Sequence, residues 1–260
     1  MEEAVTLVTG AGRGAGRGVA HGLAAARGGT VFVADINGDA AAEAATELEE
    51  LGVRGVAVVC DLSVEEDVAA LFDEIRRHGA SLDVLVNTVA WIDPSGPVAE
   101  MSTDTWHRAL RVNLDSIFYT CRAALGMMIP RGRGVIINFA SLNGTRGFPD
   151  RGSYGASKAA VINLTQTIAM ENRRHGIRAN AIVPGGIDGE RVRELRARRA
   201  GAPRTERPPE LGSGPELIDP EWIGRYLAFL VSDEGRHING QSLVIGEATR
   251  TPLQALFPDI

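Results

Sequence analysis

The chain of 260 residues is 44% apolar, 5% aromatic and 23% charged, with 31 glycines and a formal charge of −6. That length suits one α/β domain with a large core, and the composition points to Val-, Ile- and Ala-rich strands joined by tight turns. Net acidity, with no Lys/Arg-rich run at either end, argues against a nucleic-acid partner and leaves small-molecule chemistry.

Residues 4–9 are the first of seven β-branched runs that read as strands; the others are 30–35, 55–60, 82–88, 134–141, 177–183 and 242–245. Helical periodicity fills the gaps at 14–27, 39–51, 64–77, 103–129, 154–175 and 220–231. Such alternation implies right-handed βαβ units, so the expected fold is α/β of the Rossmann type: a doubly wound parallel seven-stranded sheet with helices on both faces. Ser63 and Glu66 have capping-box spacing before the third helix, and Asp219-Pro220 offers a cap followed by proline at the first helical position of the last. Pro, Gly and Arg accumulate over 185–219 without a strand, and a loop of that length reads as a lid. Elements of the same pattern resume after it, so 1–260 is expected to be a single domain containing that substrate-loop lid.

Cys60 and Cys121 both fall inside apolar patterns with no partner spacing, and read as core thiols. The five histidines form no metal-binding pair, so no metal site is expected. No apolar run approaches the ~18 residues of a membrane span and the amino terminus enters a strand directly; no membrane association and a reducing cytoplasm are expected.

Directly after the first strand comes Thr9-Gly10-Ala11-Gly12-Arg13-Gly14-Ala15-Gly16. Glycines there permit positive φ and let the backbone approach a pyrophosphate, while the helix that follows offers free N–H groups and a positive dipole end. A flexible glycine turn is the plainer reading, but the strand before and the helix after favour the nucleotide. Asp35 closes the second strand, where an acidic residue would bond the adenosine ribose hydroxyls. Its charge would repel a 2′-phosphate, and Ile36 and Asn37 supply no cation, so NAD is favoured over NADP. Arg13 argues the other way, because a guanidinium in the glycine loop reaches toward such a phosphate.

Ser141, Tyr154 and Lys158 form the second constellation. Tyr and Lys at i and i+4 share one helix face, so an ammonium can favour ionisation of a phenol whose free pKa is about 10. Ser141 ends the apolar run Val135-Ile136-Ile137 and would deliver its hydroxyl to the carboxyl edge of the sheet. Taken alone the Tyr-x-x-x-Lys spacing is weak, since surface helices carry it by chance.

With the two motifs in this order and at this length, the chain resembles the short-chain dehydrogenase/reductase family over about residues 4–247. Asp61-Leu62 after the third strand, Asn87 in Leu-Val-Asn-Thr-Val-Ala, Asn113 in the long helix, Pro184-Gly185 after the sixth strand and Asn239-Gly240-Gln241 near the end add to the likeness. The resemblance implies that Tyr154 is the acid/base, Ser141 anchors the carbonyl or alcohol oxygen, Lys158 holds the nicotinamide ribose, and Asn113 positions a water in the proton relay. It places Gly10, Gly12, Arg13, Gly14, Ala15, Asp35, Asp61, Leu62, Asn87, Tyr154, Lys158, Pro184, Gly185 and Ile187 at the cofactor. Trp91, Ser141, Asn143, Phe148 and Tyr154 go to the substrate, with Ile92, Leu142 and Arg146 beside them; packing or subunit contact is the plainer account of Trp91 and Phe148. The chain departs from its relatives at Thr88-Val89-Ala90, where they have Asn-Ala-Gly, at Gly189, where a Thr is common, and at Gly246-Glu247, where a glycine pair is usual.

Between Glu190 and Arg207 lie seven arginines against three glutamates. That surplus could draw an anionic substrate, although a solvated helix face explains it equally. The leading expectation is an NAD-dependent oxidoreductase of a secondary alcohol or its ketone, acting mainly as an oxidant of the alcohol. The alternatives are an NADPH-dependent reductase of the 3-oxoacyl type, supported by Arg13, and a non-catalytic nucleotide-binding scaffold. The family implies tetramers or dimers through the two long helices, to which the apolar tail 251–260 could contribute.

Overall fold

The computed structural model describes residues 4–78, 81–92, 96–189 and 217–246. Seven strands form one parallel sheet in the order β3-β2-β1-β4-β5-β6-β7: β1 Val5–Thr9, β2 Thr30–Asp35, β3 Arg54–Val59, β4 Val84–Asn87, β5 Gly134–Phe139, β6 Ile177–Pro184 and β7 Ser242–Ile245. This is the expected Rossmann-type sheet. β1, β2, β4 and β5 are buried throughout, which is why they read as continuous apolar runs rather than alternating ones.

Helices α1 Gly14–Arg27, α2 Gly38–Glu50 and α7 Pro220–Val231 cover one face, where Val19, Leu23, Leu48, Ile223 and Leu227 meet the sheet. Helices α3 Glu65–Arg77, α5 Ser116–Met128 and α6 Gly152–Asn172 cover the other through Leu71, Phe72, Ile117, Met128 and Val161. α1 and α7 pack backbone to backbone. A Cβ added at Gly22 would stand 2.0 Å from the Glu221 carbonyl oxygen, so no larger residue fits the crossing.

A buried polar ladder crosses the centre of the sheet. Asn87 Oδ1 accepts from Thr9 (3.2 Å) and Thr120 (3.0 Å), Asn87 Nδ2 donates to Asn138 Oδ1 (2.9 Å), and Asn138 Nδ2 donates to Thr165 Oγ1 (2.9 Å). It ties β1, β4 and β5 to α5 and α6, and every member has the partner that burial requires.

Three local expectations are corrected. The helix expected over 103–129 is α4 Thr103–Leu110, a π-helical turn Arg111–Asp115 and α5. The expected 154–175 helix begins two residues earlier and ends at Asn172, followed by a 3₁₀ turn Arg173–His175. Ser63 does not cap α3: the first non-helical residue is Val64, and the Ser63 hydroxyl donates instead to Asp61 Oδ1 (2.7 Å), which also accepts the Ser63 N–H (2.9 Å). With Val64 at the N-cap position, Ser63 stands one residue too early to cap, and its hydroxyl closes the turn with Asp61 instead. The Asp219-Pro220 start holds, with Asp219 accepting from Glu221 N at 2.9 Å.

Both cysteines are buried free thiols. Burial pushes Cys121 up to about 12, and burial together with Asp67 and Asp61 pushes Cys60 up to about 12, so neither is a thiolate near neutrality. Among the described residues no helix is long and apolar enough to cross a membrane, and no cluster of side chains could hold a metal. The arginine-rich 190–207 segment, Glu247 and the 251–260 tail lie outside the described residues.

Candidate active site

The strand order reverses at β1 and β4, and the carboxyl ends of these strands with those of β2 and β5 frame a crevice. On one side, β1 ends at Thr9 and the turn Gly10–Arg13 leads into α1. Gly14 has φ +58°, a conformation that L side chains rarely adopt. At Gly16 a Cβ would stand 2.1 Å from the Gly10 carbonyl oxygen, so the helix can press this closely on its own entry turn only as glycine. Arg13, exposed, occupies the N-cap position without a side-chain bond to the helix, and the first turn of α1 has no acidic residue. α1 thus presents its first N–H groups and the positive end of its dipole to the crevice, with half-buried Ala15 beside them.

Asp35, buried at the end of β2, is fixed against this turn. Its Oδ2 accepts from Gly12 N (3.0 Å) and its Oδ1 from Asn37 N (3.0 Å). Ile36 beside it is 67% exposed and Asn37 caps α2, so no cation from that segment stands next to the carboxylate. Asp61 closes the tight turn described above and Leu62 is buried beneath it. Val89 packs on the glycine loop, with a Cβ on Gly10 falling 2.8 Å from Val89 Cγ2, and Thr88 Oγ1 donates to Thr9 O (2.6 Å). Pro184 ends β6, Gly185 N donates to Ile245 O (3.0 Å), and Ile187 bridges Ile218, so the two ends of the 185–219 segment meet. A dinucleotide fits these residues: the uncapped helix start suits a pyrophosphate and the fixed carboxylate suits ribose hydroxyls. Asn87 is placed differently from the other assigned residues, because its side chain faces into the polar ladder and only its main chain reaches the edge.

On the other side lies the α6 turn bearing Tyr154 and Lys158, both buried. Lys158 Nζ donates to Phe139 O, the last carbonyl of β5, at 2.7 Å; burial pushes the amine down to about 7. Ser141, two residues beyond Phe139, caps the 3₁₀ turn Leu142–Gly144. That turn lies on the same stretch of α6: a Cβ at Gly144 would stand 2.6 Å from the Lys158 carbonyl carbon, and one at Gly155 3.0 Å from Asn143 O. Ser141 Oγ accepts from Asn143 N and Nδ2, both at 3.2 Å, which leaves its single O–H to donate.

Asn113 sits in the middle of the π turn, fully buried. Its Oδ1 accepts from Trp91 N (2.6 Å) and its Nδ2 donates to Trp91 O (2.9 Å) and Ser157 Oγ (3.1 Å); Ser157 Oγ donates in turn to Tyr154 O (2.7 Å). One amide therefore holds both the loop after β4 and the Tyr154 turn. Trp91 lies under the Arg108 guanidinium (4.9 Å) and Phe148 under that of Arg146 (4.9 Å).

The structure brings Ser141, Asn143, Tyr154, Lys158 and Asn113 into one connected cluster beside the glycine turn. Sequence reasoning missed Ser157, which joins Asn113 to the Tyr154 turn, and Phe139, whose carbonyl receives Lys158. A polar residue immediately before Lys158 on a largely buried helix was the available signal for the first. The carbonyl has none, because any residue supplies one.

A family model described as enoyl-(acyl carrier protein) reductase matches residues 10–247. The chain is 35% identical over 255 residues to a 3β-hydroxysteroid dehydrogenase of Mediterraneibacter gnavus, covering 92% of each. It is 34% identical to the cis-4-hydroxycyclohexanecarboxylate dehydrogenase of Sinomonas cyclohexanicum, with 94% of this chain and 95% of that one covered. An NAD⁺-bound xylitol dehydrogenase superposes with a TM-score of 0.85 at 31% identity, covering 94% of this chain and 98% of that one. The chain belongs to the short-chain dehydrogenase/reductase family, and it is an oxidoreductase acting between a nicotinamide dinucleotide and a secondary alcohol or its ketone.

Proposed function

We propose that the protein is an NAD-dependent dehydrogenase that oxidises a secondary alcohol, with Tyr154 as the base. The observation that carries this reading is the contact of the Leu142–Gly144 turn with the Tyr154–Lys158 turn, beyond the carboxyl end of β5. A bound nicotinamide supplies the hydride acceptor. Ser141 donates its O–H to the reacting oxygen, Tyr154 takes the proton from that oxygen, and Lys158 sets the charge around the phenol. Tyr154 is the third residue of α6, so the positive end of that helix also favours negative charge there. Asn113 acts by position, holding Trp91 and Ser157 on either side of the cluster.

Asp35 supports NAD: a 2′-phosphate would enter beside a buried carboxylate already fixed by two amides. The exposed Arg13 supports the second reading, an NADP-dependent ketoreductase. Gly10, Gly12, Gly14, Ala15, Asp61, Leu62, Pro184, Gly185 and Ile187 line the cofactor side of this proposal, and Asn87 contributes through its main chain. The substrate side is Asn143, Trp91 and Phe148; residues 190–216 of the expected 185–219 lid lie outside the described residues. Arg108 and Arg146 beside those aromatics suit a substrate bearing an anion, in keeping with the hydroxy-carboxylate in one relative's name. The two free thiols support a cytoplasmic location, and Phe118 and Met170, exposed on α5 and α6, support assembly as a dimer or tetramer.

A panel of secondary alcohols and ketones with NAD and NADP, followed by nicotinamide absorbance, tests the reading. NAD-linked oxidation of a cyclic hydroxy-carboxylate or sterol is the expected result. Preference for NADP in reduction would select the second reading, and no turnover with either cofactor would remove both.

A further inference from the structure

A cavity of about 780 Å³ lies at the amino edge of the sheet, opposite the crevice. It opens between the starts of β1, β4, β5 and β6 and the carboxyl ends of α1, α6 and α7. Five arginines line it against two aspartates, Asp83 and Asp233. Asp83 is already engaged: Oδ1 meets Arg131 (3.2 Å) and Arg133 (3.3 Å), and Oδ2 accepts from Val5 N (3.0 Å). Arg178 donates to the carbonyls of Leu230, Ser232, Gly235 and Ile238 at 2.8–3.2 Å. Burial lowers its pKa, and the nearby Asp233 charge partly offsets that.

Arg27, Arg173 and Arg236 remain, and none of them forms an ion pair with a carboxylate of the described residues. Helix carboxyl ends attract cations, and Arg27 Nη1 does bond Val231 O (3.3 Å). That attraction does not explain the rest of the group. Arg27 and Arg173 line the cavity with no carboxylate of the described residues within ion-pair distance. Arg236 bonds the Asp233 carbonyl at 3.1 Å, and, after the Ser232 hydroxyl, its charge helps to lower the pKa of the exposed Glu234. Three guanidiniums around a cavity of small-ligand size, with no carboxylate of the described residues paired to them, suit oxygens of a multiply charged anion.

We infer that this cavity is a second binding site, separate from the crevice, for a small polyanion of the phosphoryl or polycarboxylate class held by Arg27, Arg173 and Arg236. Because the site adjoins the ends of α6 and of α1, a ligand there stabilises the helices that carry the catalytic turn and the glycine loop. The test is thermal melting of the NAD-saturated protein with inorganic pyrophosphate or citrate, against sodium chloride at matched ionic strength. Pyrophosphate or citrate is expected to raise Tm by roughly 3–5 °C at saturation. The shift should disappear in R173Q/R236Q while kcat/KM with the alcohol stays unchanged. A larger response to pyrophosphate assigns a phosphoryl ligand, and a larger response to citrate a polycarboxylate. If the double variant fails to fold, R236Q alone, at an exposed side chain, is expected to reduce the shift by half or more. No shift with either anion, or a full shift retained in the variants, overturns the site.

Discussion

At the carboxyl edge of the sheet α1 begins without a side-chain cap beside a carboxylate locked by two amides, whereas at the amino edge α7 ends with guanidiniums bonded to its last carbonyls. Strand and helix polarity explains both. In a parallel sheet every helix points its positive end toward the carboxyl edge and its negative end toward the amino edge. Anions and proton chemistry therefore collect at one edge and cations at the other. Lys158 is the buried exception: a cation at the carboxyl edge, unlike the exposed Arg13, tolerated because Phe139 O receives it, and held at about 7 because burial disfavours its charge. The comparison teaches that the groups against the local trend at the carboxyl edge are the ones the reaction needs.

The largest test of that contrast is Tyr154→Phe, which removes one hydroxyl from the cluster and leaves the ring. kcat/KM for alcohol oxidation is expected to fall by about 10²–10⁴-fold with Tm little changed. An unchanged rate would mean that the proton leaves by another group.

Next comes the titration of Lys158. Its folded pKa, about 7, lies below the ordinary value of 10.5, so between those two values the unfolded chain binds more protons than the folded one. Stability contributed by this group therefore rises with pH from about 7 toward 10, with a slope of up to one proton, and is flat below about 7, where both states hold the proton. Urea unfolding across pH 7–10 should show this rise in the cofactor-free protein, and Lys158→Met should flatten it. An equal slope in both proteins would mean that the amine is solvated.

These tests rest on features with unequal visibility in the sequence. The sheet, the glycine turn and the Ser141, Tyr154 and Lys158 set were legible because they depend on residue type at fixed spacing: β-branched runs, glycines where a Cβ collides, and i, i+4 on one face. The π turn was not, because one extra residue in a turn leaves the apolar pattern of 103–129 intact on both sides. Asn113 was singled out by resemblance, but its grip on Trp91 and Ser157 depends on tertiary contact between a loop and two helices. Asn138, a polar residue directly after Val135-Ile136-Ile137 and before Phe139, was a readable sign of the buried ladder; its partners Asn87 and Thr165, far along the chain, were not.

A smaller effect is expected at Asp35, where the contrast becomes a choice of cofactor. Asp35→Ser removes the charge that opposes a 2′-phosphate but leaves a hydrogen-bonding group for Gly12 N. The ratio of kcat/KM for NAD over NADP is expected to fall by roughly 10-fold or more, about 1.4 kcal/mol or above, measured with one alcohol and both cofactors. An unaltered ratio would shift the discrimination to Arg13.

The smallest effect compares two helix starts at the same edge. Asn37 caps α2 by accepting from Ala40 N at 2.9 Å, and loss of such a cap costs about 1 kcal/mol. Ser63 stands before α3 with the spacing of a cap but gives its proton to Asp61, so it contributes to a turn and not to the helix. Asn37→Ala should therefore lower the unfolding free energy by about 1 kcal/mol, and Ser63→Ala by under about 0.5 kcal/mol, in parallel denaturant titrations. Equal losses would restore Ser63 as a cap. The expected inequality would mean that an uncapped N-terminus at this edge is no mark of function by itself, since α3 also starts without a side-chain cap. What sets α1 apart is the conjunction of a free start, a glycine contact too close for any Cβ, and a carboxylate fixed beside the turn.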